Sequence, residues 1–237
     1  MRKLILAASA IMLNTTAFAQ TAVPPAPPRY GGPPLAWQQS MTLGGTVVRF
    51  TLTPRGDLDG VILNDTTQVH LPPHLSDQLA AAVKPGDSVS ISGYRSPTGA
   101  VFIATSVTNT ANGQTVVDRG PPAPGLAPPP PPPGMPTPGA QSSFAQGRVQ
   151  QLLRGPAGDL NGAILDDGTV LRMPPHIAYQ FSSLLIPGQT VAAQGWGLST
   201  PYGRVIDATS IGAPTAGLAP NPNDAVRLPD GRVPPRP

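Results

Sequence analysis

The stretch that decides the fold is residues 56–94, GDLDGVILNDTTQVHLPPHLSDQLAAAVKPGDSVSISGY. It returns as residues 158–196, GDLNGAILDDGTVLRMPPHIAYQFSSLLIPGQTVAAQGW. Asp57 matches Asp159, Gly60 matches Gly162, Pro72-Pro73-His74 matches Pro174-Pro175-His176, and Pro85-Gly86 matches Pro187-Gly188. The offset is 102 positions throughout (57 to 159, 85 to 187). After Gly93 and Gly195 a small insertion near Pro201-Tyr202 raises it to 104 (104 to 208). The repeat spans residues 46–107 and 148–211, so one small module is built twice.

Within each copy the apolar pattern reads strand, strand, strand, helix, strand, strand. Strand 1 is Thr46–Thr53, with Val48, Phe50 and Leu52 alternating against Val47, Arg49 and Thr51. In the second copy that alternation slips at Gln150 and Arg154, which predicts a long, bent or bulged strand. Strand 2 is Gly60–Asn64, with Val61 and Leu63 inward and Ile62 outward. Turns at Asn64-Asp65-Thr66-Thr67 and Asp166-Asp167-Gly168-Thr169 lead into strand 3, Gln68–Leu71. A proline pair then opens a helix, because the missing N–H of proline has no partner in a first helical turn. Leu75, Leu79 and Val83 recur at helical spacing, as do Ile177, Phe181 and Leu185. Pro85-Gly86 and Pro187-Gly188 stop the helices. Strand 4 carries the strict alternation Ser88-Val89-Ser90-Ile91-Ser92, and Ala100–Thr108 is strand 5.

Three meandering strands, a helix and a closing hairpin is an order that resembles the OB-fold barrel. The paired runs Gly56-Asp57-Leu58-Asp59-Gly60 with Leu71-Pro72-Pro73-His74, and their counterparts, are also similar to a small domain of exported bacterial proteins. That second resemblance implies no activity. The expected fold is mainly β: two five-stranded OB-like barrels, each with one short helix between strands 3 and 4, joined by a Pro-rich linker.

Composition sets the surroundings. Arg2-Lys3, an apolar run from Leu4 to Leu13 and Ala17-Phe18-Ala19 read as an export signal over residues 1–19. A periplasmic or secreted location is the expectation. Residues 20–43, 111–144 (with six prolines, Pro128 to Pro133) and 214–237 lack apolar periodicity and read as disordered, the middle one as a partly stiff spacer. The barrels are expected at 44–110 and 145–213, each folding alone with the other loosely tethered. There are no cysteines, which removes disulfides and thiolate metal sites. No apolar run reaches transmembrane length, so membrane insertion is not expected.

The full chain carries 15 Lys+Arg against 12 Asp+Glu; without Arg2 and Lys3 the balance is 13 against 12. Neither copy has a basic stripe, and the outward positions Ile62, Gln68 and His70 of strands 2 and 3 are not aromatic. No nucleic-acid partner is therefore expected. No catalytic motif is visible and there is no glutamate, so an enzyme with a site shared between modules is the least favoured reading and no cofactor is expected.

Candidate sites lie where the 1–2 and 4–5 loops of an OB barrel meet. Arg55, Asp57, Tyr94 and Arg95 gather there in the first copy, and Asp159, Trp196, Tyr202 and Arg204 in the second. An aromatic flanked by Arg and Asp can stack on a sugar, base or peptide; equally, these aromatics can cap the barrel end. Asp57, Asp59, Asp65, Asp159, Asn161, Asp166 and Asp167 offer oxygen ligands for calcium, or hydrogen bonds to their own turns. His74 and His176 stand at the helix starts. His70, four residues before His74, is replaced by Arg172 in the second copy, which speaks against a zinc pair. The expected function is a monomeric, non-catalytic adaptor whose tethered barrels bind an envelope polymer or a protein, with calcium binding as the alternative.

Overall fold

The computed structural model describes residues 40–64, 66–121 and 136–214, with the backbone of 219–220. Residues 1–39, Asp65, 122–135, 215–218 and 221–237 lie outside it, and with them the stretch read as an export signal, the proline run and most of both terminal segments. Among the described residues no helix is long and apolar enough to cross a membrane.

The first barrel comprises β1 (Met41–Leu52), β2 (Leu58–Leu63), β3 (Gln68–His70), a 3-10 turn (Pro73–Leu75), α1 (Ser76–Ala82), β4 (Ser88–Arg95), β5 (Phe102–Asn109) and β6 (Thr115–Val117). The second comprises β7 (Gln141–Arg154), β8 (Leu160–Leu165), β9 (Val170–Arg172), α2 (Pro175–Gln180), β10 (Thr190–Thr200), β11 (Gly203–Gly212) and β12 (Ala219–Pro220). β1 pairs with both β2 and β4, β4 with β5, and β3 closes the ring by a parallel pairing with β5. The second barrel closes the same way through β9 and β11. Each is a five-stranded OB barrel with one short helix between its third and fourth strands.

Strand 1 departs from the expected alternation. Val47 pairs with Leu63 and Arg49 with Ile62, so Val48 is an extra residue. This bulge turns Val47 inward and leaves Val48 exposed, correcting the face that put Val48 beside Phe50 and Leu52. The second copy has the same bulge at Gln150, between the pairs Val149–Leu165 and Gln151–Ile164. Leu75, Leu79 and Val83 are buried in the first barrel, and Ile177 and Leu185 in the second; α2 ends at Gln180, so Leu185 and half-buried Phe181 lie beyond it, which corrects a second helix running to Pro187-Gly188. β6, an added edge strand on β5, falls in the stretch read as linker.

The expectation of two loosely tethered barrels is corrected. Leu153, Ile164, Val170 and Val205 of the second barrel belong to the same apolar cluster as Leu52, Ile62 and the rest of the first barrel's core. All six residues of β2 are buried, although a strand of a lone barrel covers only its inward side chains. Ile62 and its counterpart Ile164, both outward-facing, are closed off by the other barrel.

Candidate functional site

In OB barrels the strand 2–3 face and the adjoining 1–2 and 4–5 loops are the usual ligand surface. Here the two barrels spend that surface on each other. Gln68 of β3 accepts from the Arg154 backbone N–H at 2.9 Å, and its amide donates to the Arg154 carbonyl at 2.7 Å. Gln151 donates to the Thr66 carbonyl at 2.8 Å. Arg172 of β9 donates through Nε to the Leu52 carbonyl at 2.7 Å and through Nη2 to both carboxylate oxygens of Asp59, at 2.9 and 2.6 Å. Its Nη1 donates to Asn161 Oδ1 at 3.0 Å. Burial pulls the Arg172 guanidinium below its ordinary pKa, and Asp59 opposes that pull. His70 lies in the same field. Burial lowers its pKa, with Asp59 acting to raise it and Arg172 to lower it further.

The loops interlock as well. A Cβ on Gly56 would collide with Leu198 and Thr200 of β10, and one on Gly158 with Thr98 of the β4–β5 loop. Both glycines hold positive φ, +85° and +91°, so these turns need glycine for conformation and for close approach. Each 1–2 loop thus packs against the 4–5 region of the other barrel. Tyr202 sets its ring edge-on to Phe50, with centroids 5.7 Å apart at 80°.

Of the eight loop residues singled out from sequence, Tyr202 and Arg204 line one hollow of about 380 Å³ with Arg49 and Phe50 of the first barrel, and none of the other six lines it. Arg55 lies in an exposed turn and donates its N–H to Thr53 Oγ1 at 3.2 Å. Asp57 accepts from the Thr53 hydroxyl at 3.5 Å. Tyr94 is half-buried at the end of β4, and Arg95 closes its own loop on the Gly99 carbonyl at 3.3 Å. Asp159 is half-buried, its backbone carbonyl accepting from Gly155 at 2.8 Å. Trp196 stays exposed on β10, Tyr202 reaches the first barrel, and Arg204 donates to the Phe144 carbonyl at 3.0 Å.

The aspartates offered as calcium ligands serve other ends. Asp59 holds Arg172, Asp166 accepts from the Arg148 N–H, and Asp167 accepts from both the N–H and the hydroxyl of Thr169. Asp65 lies outside the described residues. Among the described residues no three His, Cys, Asp or Glu converge as a metal would require. His74 Nε2 lies 3.5 Å from Asp118 Oδ1, beside a hollow of about 510 Å³ that His74, Thr115 and Arg119 help to line.

Among the described residues, one sheet surface that stays open is the outward face of β7 and β10. Along β7 the residues Ser142, Phe144, Gln146 and Arg148 point to solvent while Ala145 and Val149 are buried. Along β10, Gln194 and Trp196 are exposed between buried Ala193, Gly195 and Gly197. Phe144 pairs with Gln194 and Trp196 with Ser142, so the two aromatics are diagonal neighbours on one face. That diagonal places the two residues roughly 7–8 Å apart, with their Cβ atoms somewhat closer. Phe144 is 53% exposed and Trp196 38%. Arg148 lies one strand period beyond Gln146 on this face, whereas Arg204, which pairs with Ser199, projects from the other face of the sheet and reaches only the Phe144 carbonyl. The sequence reading missed Phe144, which it put at the end of the linker. The signal for it was the divergence of the copies: Phe144 and Arg148 stand where the first copy has Thr42 and Thr46.

No family model and no curated protein matches the chain. Solved structures do. The wild-type single-stranded DNA-binding protein from Thermus aquaticus matches at 14% identity, covering 76% of this chain and 94% of that one, with a TM-score of 0.24. A deletion variant of the same protein matches at 13% identity, covering 76% and 96%, also with a TM-score of 0.24. Both are single-stranded DNA-binding proteins, and this corrects two expectations: an envelope polymer or protein as the partner, and the exclusion of nucleic acid. At that TM-score the likeness assigns no ligand to this chain.

Proposed function

We propose that the chain is a non-catalytic binder of single-stranded nucleic acid that uses the open β7–β10 sheet of its second barrel. The observation that carries this reading is the solvent-facing Phe144–Trp196 diagonal with Arg148 farther along the same face of β7. Successive bases stack on neighbouring aromatics whatever their identity, because every base has a π-face, and each stack contributes about 1–3 kcal/mol. Arg148 supplies counter-charge for the backbone, and Asp207 lies opposite Trp196 in the β10–β11 register, so affinity is modest and sequence-tolerant. With residues 1–19 read as an export signal, the bound strand is extracytoplasmic.

The test is fluorescence anisotropy of a labelled oligothymidylate of about twelve nucleotides, within the span of OB-fold sites. Phe144→Ala and Trp196→Ala are each expected to weaken binding by about tenfold or more, following one lost stack. Tyr179→Ala, which removes a 79% exposed aromatic from α2, is expected to leave it unchanged. Undiminished binding by the Phe144→Ala/Trp196→Ala double variant, or no binding by the wild-type chain, contradicts the proposal.

A further inference from the structure

The interface between the barrels joins like to like. Counting by the offset of 102, Asp59 and Asn161 are counterparts (59 + 102 = 161), as are His70 and Arg172 (70 + 102 = 172). The guanidinium of Arg172 touches both members of the first pair, Asp59 at 2.6 Å and Asn161 at 3.0 Å. His70 feels the charges of both Asp59 and Arg172. The flanking contacts are reciprocal too. Gln68 in the third strand of the first barrel binds Arg154 at the end of the second barrel's first strand. Arg172 in the third strand of the second barrel binds Leu52, the counterpart of Arg154. Gly56 abuts Thr200 while Gly158 abuts Thr98. Such a face is self-complementary in shape, as in a two-fold dimer.

Shape alone therefore does not decide which barrel docks on which. Charge does. A first barrel facing another first barrel would bury two Asp59 carboxylates with two histidines, which are neutral at pH 8. A second barrel facing another second barrel would bury two Arg172 guanidiniums with two asparagines. Each leaves buried like charges without a partner, a large penalty in a low-dielectric interface. Only the mixed pairing sets one carboxylate against one guanidinium. Selectivity of this kind comes from what the wrong pairing costs.

We propose that positions 59/161 and 70/172 form a pairing code. The strand 2–3 face of a first barrel accepts only a second barrel, from its own chain or from a second copy of it, and each face rejects its own kind.

The test uses the full chain at pH 8 in three forms beside the wild type: Asp59→Asn/His70→Arg, Asn161→Asp/Arg172→His, and all four substitutions together. NMR relaxation reads whether the barrels share one tumbling time, and sedimentation reads the oligomeric state. Each two-site variant is expected to lose the common tumbling time, and the four-site variant, which restores one carboxylate and one guanidinium, to regain it. Two-site variants that stay docked as the wild type does overturn the code. So does a four-site variant that fails to regain the common tumbling time, whether or not its barrels fold.

Discussion

Arg172 and Asp59, separated by 113 residues and lying on different barrels, form a buried two-oxygen ion pair at 2.9 and 2.6 Å. The guanidinium is 4% exposed and the carboxylate 12%, so water screens neither well. This pair lies where OB barrels ordinarily meet their ligands. Its presence there closes that face to a ligand.

Removing one partner strands the other. Arg172→Ala leaves Asp59 buried and unpaired and is expected to cost about 3–5 kcal/mol by urea denaturation. Asp59→Leu/Arg172→Met, which removes both charges, is expected to cost far less. Equal losses in the two variants would show that packing, not charge, dominates the contact.

The turn at Gly158 separates two effects. Gly158 and Gly188 have nearly the same φ, +91° and +89°, but only Gly158 faces a neighbour, Thr98. Alanine at either position meets conformational strain of about 1 kcal/mol. Gly158→Ala is expected to lose clearly more than Gly188→Ala, and the excess measures the loop contact between barrels. Matching losses would argue that this contact is loose.

His70 makes docking sensitive to acid. Burial lowers its pKa in the folded chain below the unfolded value near 6.5. Protonation therefore favours the unfolded or undocked state. Stability is full above pH 6.5 and falls as pH drops from there toward the lowered folded value. Urea midpoints from pH 8 to pH 5 are expected to decline in the wild type and to flatten in His70→Gln. A wild-type profile identical to that of His70→Gln would rule the histidine out.

Much of the fold is legible in the sequence because its signals are local. Pro72-Pro73 and Pro85-Gly86 bracket the helix, and Ser88–Ser92 alternates as a strand must. The bulge at Val48 is hidden, because Val47 and Val48 are both apolar and either can face inward. Docking is hidden for another reason. A short strand buried on both faces, such as β2, reads like one buried on a single face when its outward residues are Leu58, Gly60 and Ile62. The exchange of His70 for Arg172 was visible, but its meaning depends on Asp59, which only the folded pair of barrels brings near. Phe144 is hidden because the Pro-rich composition before it runs on to the start of β7 at Gln141.

Salt dependence gauges the charge on the outer sheet. With Arg148 the arginine on the face of the aromatic pair, the slope of log K against log salt is expected to be about −0.7, the value for one phosphate on a single strand. A slope of −4 or steeper would point to a larger basic surface elsewhere.

The most direct measurement is an amide chemical-shift titration of the full chain with oligothymidylate. The strand is expected to perturb residues 142–148 and 190–197, while β2, β3, β8 and β9 stay silent. Perturbations concentrated on residues 58–63, 68–70, 160–165 and 170–172 would contradict the account, since they require the barrels to part.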